Sequence, residues 1–114
     1  MIKIYHNPRC TKSREGLETL RQSGKEFEIR EYLKDLLTEE ELTSLLRKLG
    51  MAPMELVRTG EKIWKEQYKD RDLDDKELIR VLVEHPKLIQ RPIVEKDKKA
   101  VIGRPASNIE ELLN

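Results

Sequence analysis

Apolar and polar residues alternate in short segments near both ends of the chain, and helical patterns occupy the residues between them. The segments 2–5 and 27–32 alternate with a period of two residues, which is typical of β-strands. From Thr11 onward the apolar residues recur at helical spacing, and Gly24 lies where this helix is expected to end. A strand, a helix and a second strand in this order predict a βαβ unit whose two strands pair in parallel.

The middle of the chain, at about residues 38–85, has helical patterning. A capping box begins one helix at Thr38, and leucines then recur at spacings of three and four residues. A second capping pair begins another helix at Asp74, and His85-Pro86 ends it. Shorter helices are predicted after Pro53 and around Trp64 and Tyr68.

Strands return near the end of the chain, where the segments 92–95 and 100–102 flank a polar turn and predict a β-hairpin. Ser107-Asn108-Ile109-Glu110 has the form of a third capping box and predicts a terminal helix. This order predicts an α/β fold with a mixed four-stranded sheet, in the thioredoxin-like arrangement. We expect one domain over residues 1–114, with a helical insertion at about 38–85 between the βαβ unit and the C-terminal ββα unit.

Charged residues make up 39% of the 114 residues but nearly cancel, because 23 Lys and Arg accompany 22 Asp and Glu to give a net charge of +1. This balance argues against binding to nucleic acid or to a membrane through bulk electrostatics. No apolar run approaches the roughly 20 residues that span a bilayer. The N-terminus lacks the apolar core of a signal peptide, so we expect a cytoplasmic location.

Cys10 is the only cysteine, which excludes an intramolecular disulfide. It lies where the first strand gives way to the first helix, and there unpaired backbone N–H groups and the helix dipole favour thiolate over thiol. The same N–H groups can bind an oxyanion. A lone cysteine is often a small buried hydrophobic residue, but the cationic neighbours Arg9, Lys12 and Arg14 favour a reactive thiol here. The loop therefore suits chemistry on an arsenate-like or phosphate-like substrate.

His6 and Ser13 each have two interpretations. His6 could donate a hydrogen bond to the sulfur or serve only as a turn residue. Ser13 occupies the position of the second cysteine in a Cys-x-x-Cys motif, so an external thiol must resolve Cys10 after it reacts. The Ser13 hydroxyl could also simply bind the backbone or Cys10.

Three arginines, Arg58, Arg91 and Arg104, stand beside turns at the ends of predicted elements. Their planar guanidinium groups suit tetrahedral oxyanions better than the point charge of a lysine. In a chain this charged, a solvated surface residue is the preferred interpretation of any one of them, and they matter as a set only if the fold brings them to the cysteine loop. The Arg91-Pro92 bond could be cis, although a trans bond has the higher base rate.

Taken in order, the motifs at residues 6–14, 85–93 and 103–105, together with Arg58, resemble the glutaredoxin-dependent arsenate reductase family, ArsC. The resemblance extends from Ile2 to about Leu113. It implies a thioredoxin-like fold with a helical insertion and the reduction of arsenate to arsenite. It also implies that glutathione, as co-substrate, displaces the arsenical product and that glutaredoxin reduces the resulting mixed disulfide. No metal and no tightly bound cofactor is implied.

The same resemblance implies a role for each candidate residue. Cys10 is similar to the nucleophile that attacks arsenic and forms a thiol–arsenate adduct. His6 and Ser13 resemble residues that support a lowered thiol pKa. The arginines that resemble oxyanion-binding residues are Arg58, Arg91 and Arg104.

Two other functions stay open at this level. Spx-type transcription regulators, which bind RNA polymerase, form a related branch, but many carry Cys-x-x-Cys, and Ser13 argues against that version. In such a module Trp64 and Tyr68 would belong to a partner surface, whereas core packing is the preferred interpretation of both aromatics. The other alternative is a glutathione-dependent thiol reductase with no arsenic substrate.

Overall fold

A four-stranded mixed sheet, as the sequence predicts, forms the centre of the fold in the computed structural model, which describes residues 1–114. The spatial order of the strands is β2-β1-β3-β4. β1 pairs in parallel with β2 and antiparallel with β3, and β3 pairs antiparallel with β4. The strand bounds are β1 Ile2–Tyr5, β2 Glu28–Arg30, β3 Ile93–Lys96 and β4 Lys99–Ile102.

Five α-helices and two 3-10 helices connect or follow the strands. None of them is long and apolar enough to cross a membrane. The α-helices are α1 Thr11–Gln22, α2 Glu39–Leu49, α3 Lys62–Gln67, α4 Asp75–Glu84 and α5 Ser107–Leu113, and the 3-10 helices are Pro53–Leu56 and Pro86–Leu88.

The chain divides into two compact units, of which the first contains residues 1–35 and 91–114. This unit holds the whole sheet, α1 and α5. Apolar side chains from β1, β3 and the two helices form its core, because alternate strand residues and the apolar face of each helix point to the same layer. The buried members are Ile2, Ile4, Leu17, Leu20, Val94, Ile109 and Leu113.

Two glycines let the backbone of the first unit pack closely around Pro92. A Cβ atom on Gly16 of α1 would lie 2.9 Å from Cγ of Pro92 and 3.1 Å from Cδ1 of Ile109. A Cβ atom on Gly103 would lie 2.7 Å from the same Cδ1 atom. Any larger residue would push these elements apart, so Gly16 sets the distance between α1 and the segment that precedes β3, and Gly103 sets the distance between the end of β4 and α5.

The second unit, residues 36–90, is helical and spans the predicted insertion. The capping boxes at Thr38 and Asp74 both form, with each side chain accepting a hydrogen bond from the third residue of its helix. The aromatic rings of Trp64 and Tyr68 stack with their centres 5.9 Å apart. Both residues are buried, at 6% and 7% exposure, which confirms the prediction that they pack in a core.

Three local features differ from the sequence predictions or resolve them. β2 is shorter than the predicted strand 27–32 because the carbonyl of Glu31 accepts hydrogen bonds from Lys34 and Asp35 and closes a turn. Ser107 does not cap α5: the helix begins at that residue. The nearby carbonyls of Ile102 and Arg104 are bound instead by the side-chain amide of Asn108. The bond Arg91-Pro92, which the sequence left open, is cis, and so is Arg104-Pro105.

Candidate active site

The loop between β1 and α1 holds Cys10 at the start of the helix. Its backbone N–H donates to the carbonyl of Asn7 at 3.0 Å, and its own carbonyl accepts from Arg14 at 3.0 Å as the first bond of α1. The side chain of Asn7 accepts from the backbone of Arg9 at 3.0 Å. Cys10 therefore occupies the N-cap position in an extended conformation, as the sequence predicts, and its side chain is half-buried rather than enclosed in the core.

Ser13 and His6 form a buried pair beneath this loop. The Ser13 hydroxyl is fully buried, accepts a hydrogen bond from the backbone of Asn7 at 2.9 Å and lies 2.7 Å from Nδ1 of His6. The backbone of His6 donates to the carbonyl of Arg30 at 2.9 Å, which ties the loop to the end of β2. Of the two interpretations of His6, the geometry favours a residue that holds the loop through Ser13.

Burial lowers the pKa of His6 below its usual value, although the carboxylate of Glu31 opposes that change. The imidazole is therefore largely neutral at pH 7, because an unperturbed histidine has a pKa of about 6.5. A neutral ring can accept from the Ser13 hydroxyl or donate to it, according to its tautomer. It supplies no full positive charge to the thiolate.

The pKa of the Cys10 thiol is lowered, in agreement with the sequence prediction. Burial by itself raises this pKa, but hydrogen bonds from the backbone N–H groups of Ser13 and Lys12, together with the Arg91 side chain, outweigh it. Arg91 acts both by hydrogen bonding and through its positive charge. The sulfur is therefore stabilised as an anion both by donors from the first turn of α1 and by a guanidinium group from outside that helix.

The cations that neighbour Cys10 in sequence direct their charged groups to other partners. Arg14 donates to the carbonyl of Pro8 at 2.8 Å and to the hydroxyl of Thr11 at 3.1 Å. The Lys12 ammonium lies 3.6 Å from the carboxylate of Glu15. The cation that acts on the sulfur comes instead from Arg91, far along the chain.

The structure places the three predicted arginines differently. Arg91 lies next to Cys10, two residues before the start of β3. Arg104 is exposed, and its neighbour Gly103 donates to the carbonyl of Pro92 at 2.8 Å. Arg58 belongs to the second unit, where it donates to the carbonyl of Lys87 at 3.3 Å and pairs with Glu61 at 3.4 Å. The oxyanion-binding roles of all three stay predictions.

Tyr32 is a residue of this site that the sequence analysis did not single out. It follows β2 within a turn and is 2% exposed. Burial raises its pKa to about 12, with Arg91 lowering that value and the charge of Cys10 raising it. The sequence carries a weaker signal: Tyr32 is the last residue of the predicted strand 27–32, and the loops that follow parallel neighbouring strands emerge at the same edge of the sheet.

These groups give the site a nucleophilic sulfur and hydrogen-bond donors for a bound anion. A thiolate attacks an electrophilic centre, while backbone N–H groups and a guanidinium hold the oxygen atoms around that centre. No group of three or more His, Cys, Asp or Glu side chains in the structure could hold a metal ion.

Comparison with known proteins gives consistent similarities along nearly the whole chain. The model of the ArsC family matches residues 5–112. An arsenate reductase of Neisseria meningitidis serogroup B is 41% identical, with 98% of this chain and 97% of that protein covered. The protein YfgD of Escherichia coli K12 is 44% identical, with 98% and 96% covered. A solved structure of an arsenate reductase from Vibrio cholerae superposes with a TM-score of 0.92 at 39% identity, covering 96% of this chain and 95% of that one.

Proposed function

This chain belongs to the ArsC family, and from that premise we propose that it is an arsenate reductase whose nucleophile is Cys10. The observation that carries the proposal is the position of the sulfur at the start of α1, where its pKa is lowered. Backbone N–H groups of Lys12 and Ser13 and the side chain of Arg91 together lower it. At neutral pH such a sulfur is thiolate to a larger extent than an ordinary thiol.

The reaction begins when the Cys10 thiolate bonds to arsenic of the arsenate ion. An As–O bond breaks as the S–As bond forms, and the oxygen leaves as water after it takes up two protons. Arsenic keeps its oxidation state in this step. The product is an adduct in which a –AsO₃H₂ group, in its fully protonated form, is attached to the sulfur.

Reduction follows when a second thiol attacks the sulfur of this adduct. The new S–S bond forms, the S–As bond breaks, and its electron pair goes to arsenic, which leaves as arsenite. Cys10 has no second cysteine in the chain to resolve it, so this thiol comes from another molecule, and from the family resemblance we infer that it is glutathione. Glutaredoxin would then reduce the mixed disulfide between Cys10 and glutathione and restore the thiol.

The remaining residues have supporting roles in this proposal. Donors that stabilise the thiolate also face the oxygen atoms of the adduct, so the same positive potential serves both states. Ser13 and His6 hold the loop that presents Cys10. Arg91 binds the oxyanion beside the sulfur, and by family resemblance Arg58 and Arg104 contribute further guanidinium groups.

The test is arsenate reduction coupled to NADPH oxidation through glutathione, glutathione reductase and glutaredoxin. The wild-type protein should support oxidation that depends on arsenate, and Cys10→Ser should abolish it. Undiminished activity of Cys10→Ser would end the proposed mechanism. If several glutaredoxins give no arsenate-dependent activity while a small mixed disulfide is reduced, the protein is a thiol reductase without an arsenic substrate.

A further inference from the structure

Two buried hydrogen-bond donors in the first unit lack an acceptor within the protein. They are the hydroxyl of Tyr32 and Nε of Arg91. Buried polar groups in native proteins are nearly always paired, because an unpaired donor loses its hydrogen bond to water and gains nothing in return. A pair of such donors in one place is therefore characteristic of a site whose acceptor arrives with a ligand.

The strand register brings both donors to the edge of the sheet that carries Cys10. Tyr5, the last residue of β1, pairs with Arg30 on one side and with Ile93 on the other. Tyr32 lies two residues beyond Arg30, and Arg91 lies two residues before Ile93. The loop that leads to Cys10 leaves β1 between these two segments.

Electrostatic effects agree with this placement. Burial is the main cause of the raised pKa of Tyr32, but the Cys10 thiolate and the Arg91 guanidinium also change it in opposite directions. All three groups are thus close enough to influence one another. With a pKa of about 12 the phenol stays protonated at neutral pH, so it can donate a hydrogen bond and cannot act as a base.

The sulfur is not the acceptor for this phenol. The donors that lower the pKa of Cys10 are the backbone N–H groups of Ser13 and Lys12 and the side chain of Arg91. The Tyr32 hydroxyl has no hydrogen-bond partner in the structure, the sulfur included. An anion bonded to the sulfur would add oxygen atoms beside it, and an oxygen atom is the kind of acceptor that the two unpaired donors lack.

We propose that the Tyr32 hydroxyl, with Nε of Arg91, donates a hydrogen bond to an oxygen atom of the arsenate held at Cys10, an inference that rests on the proposed function. Tyr32 is then a substrate-binding residue that adds a neutral donor to a site otherwise made of charged and backbone donors.

The test is Tyr32→Phe, which removes one oxygen atom and keeps the buried ring. Arsenate should protect Cys10 of the wild type from iodoacetamide, and the variant should need about tenfold more arsenate for half protection, the loss typical of a hydrogen bond to a charged ligand. In the coupled assay kcat/KM for arsenate should fall by a similar factor. Its melting temperature should not fall, because the hydroxyl has no partner to lose.

Tyr68→Phe is the matched control. Its hydroxyl is part of a hydrogen bond with Nε2 of His85, 3.0 Å away in the second unit. This variant should melt at a lower temperature and keep the arsenate protection of the wild type. Tyr32→Phe is thus expected to change arsenate protection and not to lower the melting temperature. Tyr68→Phe is expected to lower the melting temperature and to leave the protection unchanged.

Three results would overturn the inference. One is arsenate protection of a folded Tyr32→Phe within twofold of the wild type. Another is a rise in the pH midpoint of Cys10 alkylation in Tyr32→Phe that explains the whole loss of arsenate protection, since the hydroxyl would then act on the sulfur. The third is no protection of the wild-type thiol by arsenate. Protection that depends on Tyr32 without arsenate reduction would instead support the inference and refute the proposed function.

Discussion

The close contact between α1 and Pro92 gives a prediction for Gly16→Ala. The added Cβ would lie 2.9 Å from Cγ of Pro92 and 3.1 Å from Cδ1 of Ile109, so the helix must move by several tenths of an ångström to relieve both contacts. The end of the isoleucine side chain can rotate, but the proline ring is rigid and precedes a paired strand. Most of the adjustment therefore falls on α1.

The net free energy follows from two opposing effects. Alanine is better than glycine inside a helix by about 1 kcal/mol. Overpacking of a close contact is unfavourable by about 1–3 kcal/mol. The variant should be less stable by up to about 2 kcal/mol, which for a domain of this size lowers the melting temperature by about 4 °C per kcal/mol.

Urea and thermal unfolding measure this change, and Gly60→Ala provides the control. A Cβ atom on Gly60 meets nothing within 4 Å, and its φ is not in the left-handed region, so that substitution should be neutral or slightly stabilising. Alkylation of Cys10 at pH 7 should also slow in Gly16→Ala. Cys10 is the N-cap of α1 and Arg91 precedes Pro92, so moving α1 away from Pro92 also weakens the effect of Arg91 on the thiol pKa. A Gly16→Ala protein about 1 kcal/mol more stable than the wild type would refute this reasoning, because helix propensity alone would then explain it.

Three further predictions concern the site and the helix ends. Arg91→Ala should lower kcat/KM for arsenate by about 10²-fold or more, the loss typical of one preorganised donor, and should affect activity more than stability. A large fall in melting temperature with unchanged activity per folded molecule would make Arg91 structural. Because burial lowers the pKa of His6, the unfolded chain binds its proton more readily, so stability should fall as the pH decreases below about 6.5. Urea unfolding at pH 7.5 and 5.5 should show a smaller difference in His6→Gln, and an equal difference would contradict this origin. Thr38→Ala should lower the free energy of unfolding by about 1 kcal/mol, whereas Ser107→Ala should change it little, because of these two residues Thr38 caps its helix and Ser107 does not. Equal losses would contradict the observed caps.

Local sequence patterns predicted most of the elements, because their causes lie within a few residues. The capping boxes at Thr38 and Asp74 form as expected, and Gly50 ends α2 in the left-handed conformation that glycine favours. The same pattern failed at Ser107. There the side chain of Asn108 binds the carbonyls that precede the helix, and that interaction depends on the path of the chain after β4.

The site was predictable at Cys10 and less so around it. For a cysteine between a strand and a helix, the sequence alone predicts a lowered thiol pKa. The donors that lower it are the backbone N–H groups of the residues that follow. The cationic partner was not decided by proximity in sequence: Arg14 and Lys12 bind other groups, and Arg91 reaches the sulfur through the pairing of β1 with β3. The alternating pattern places Tyr32 in a strand, and only the turn at Glu31 gives it a separate position.

Arg91 and Cys10 are distant in sequence, although β1 and β3 are neighbours in the sheet. A ribosome that has synthesised residues 1–90 has therefore made the cysteine loop and the helix behind it, but not the guanidinium that holds the sulfur as an anion. Until β3 takes its place, the nascent chain lacks part of what makes this thiol acidic, and thiolate is the form that oxidants attack. Full reactivity is thus acquired only with the completed sheet.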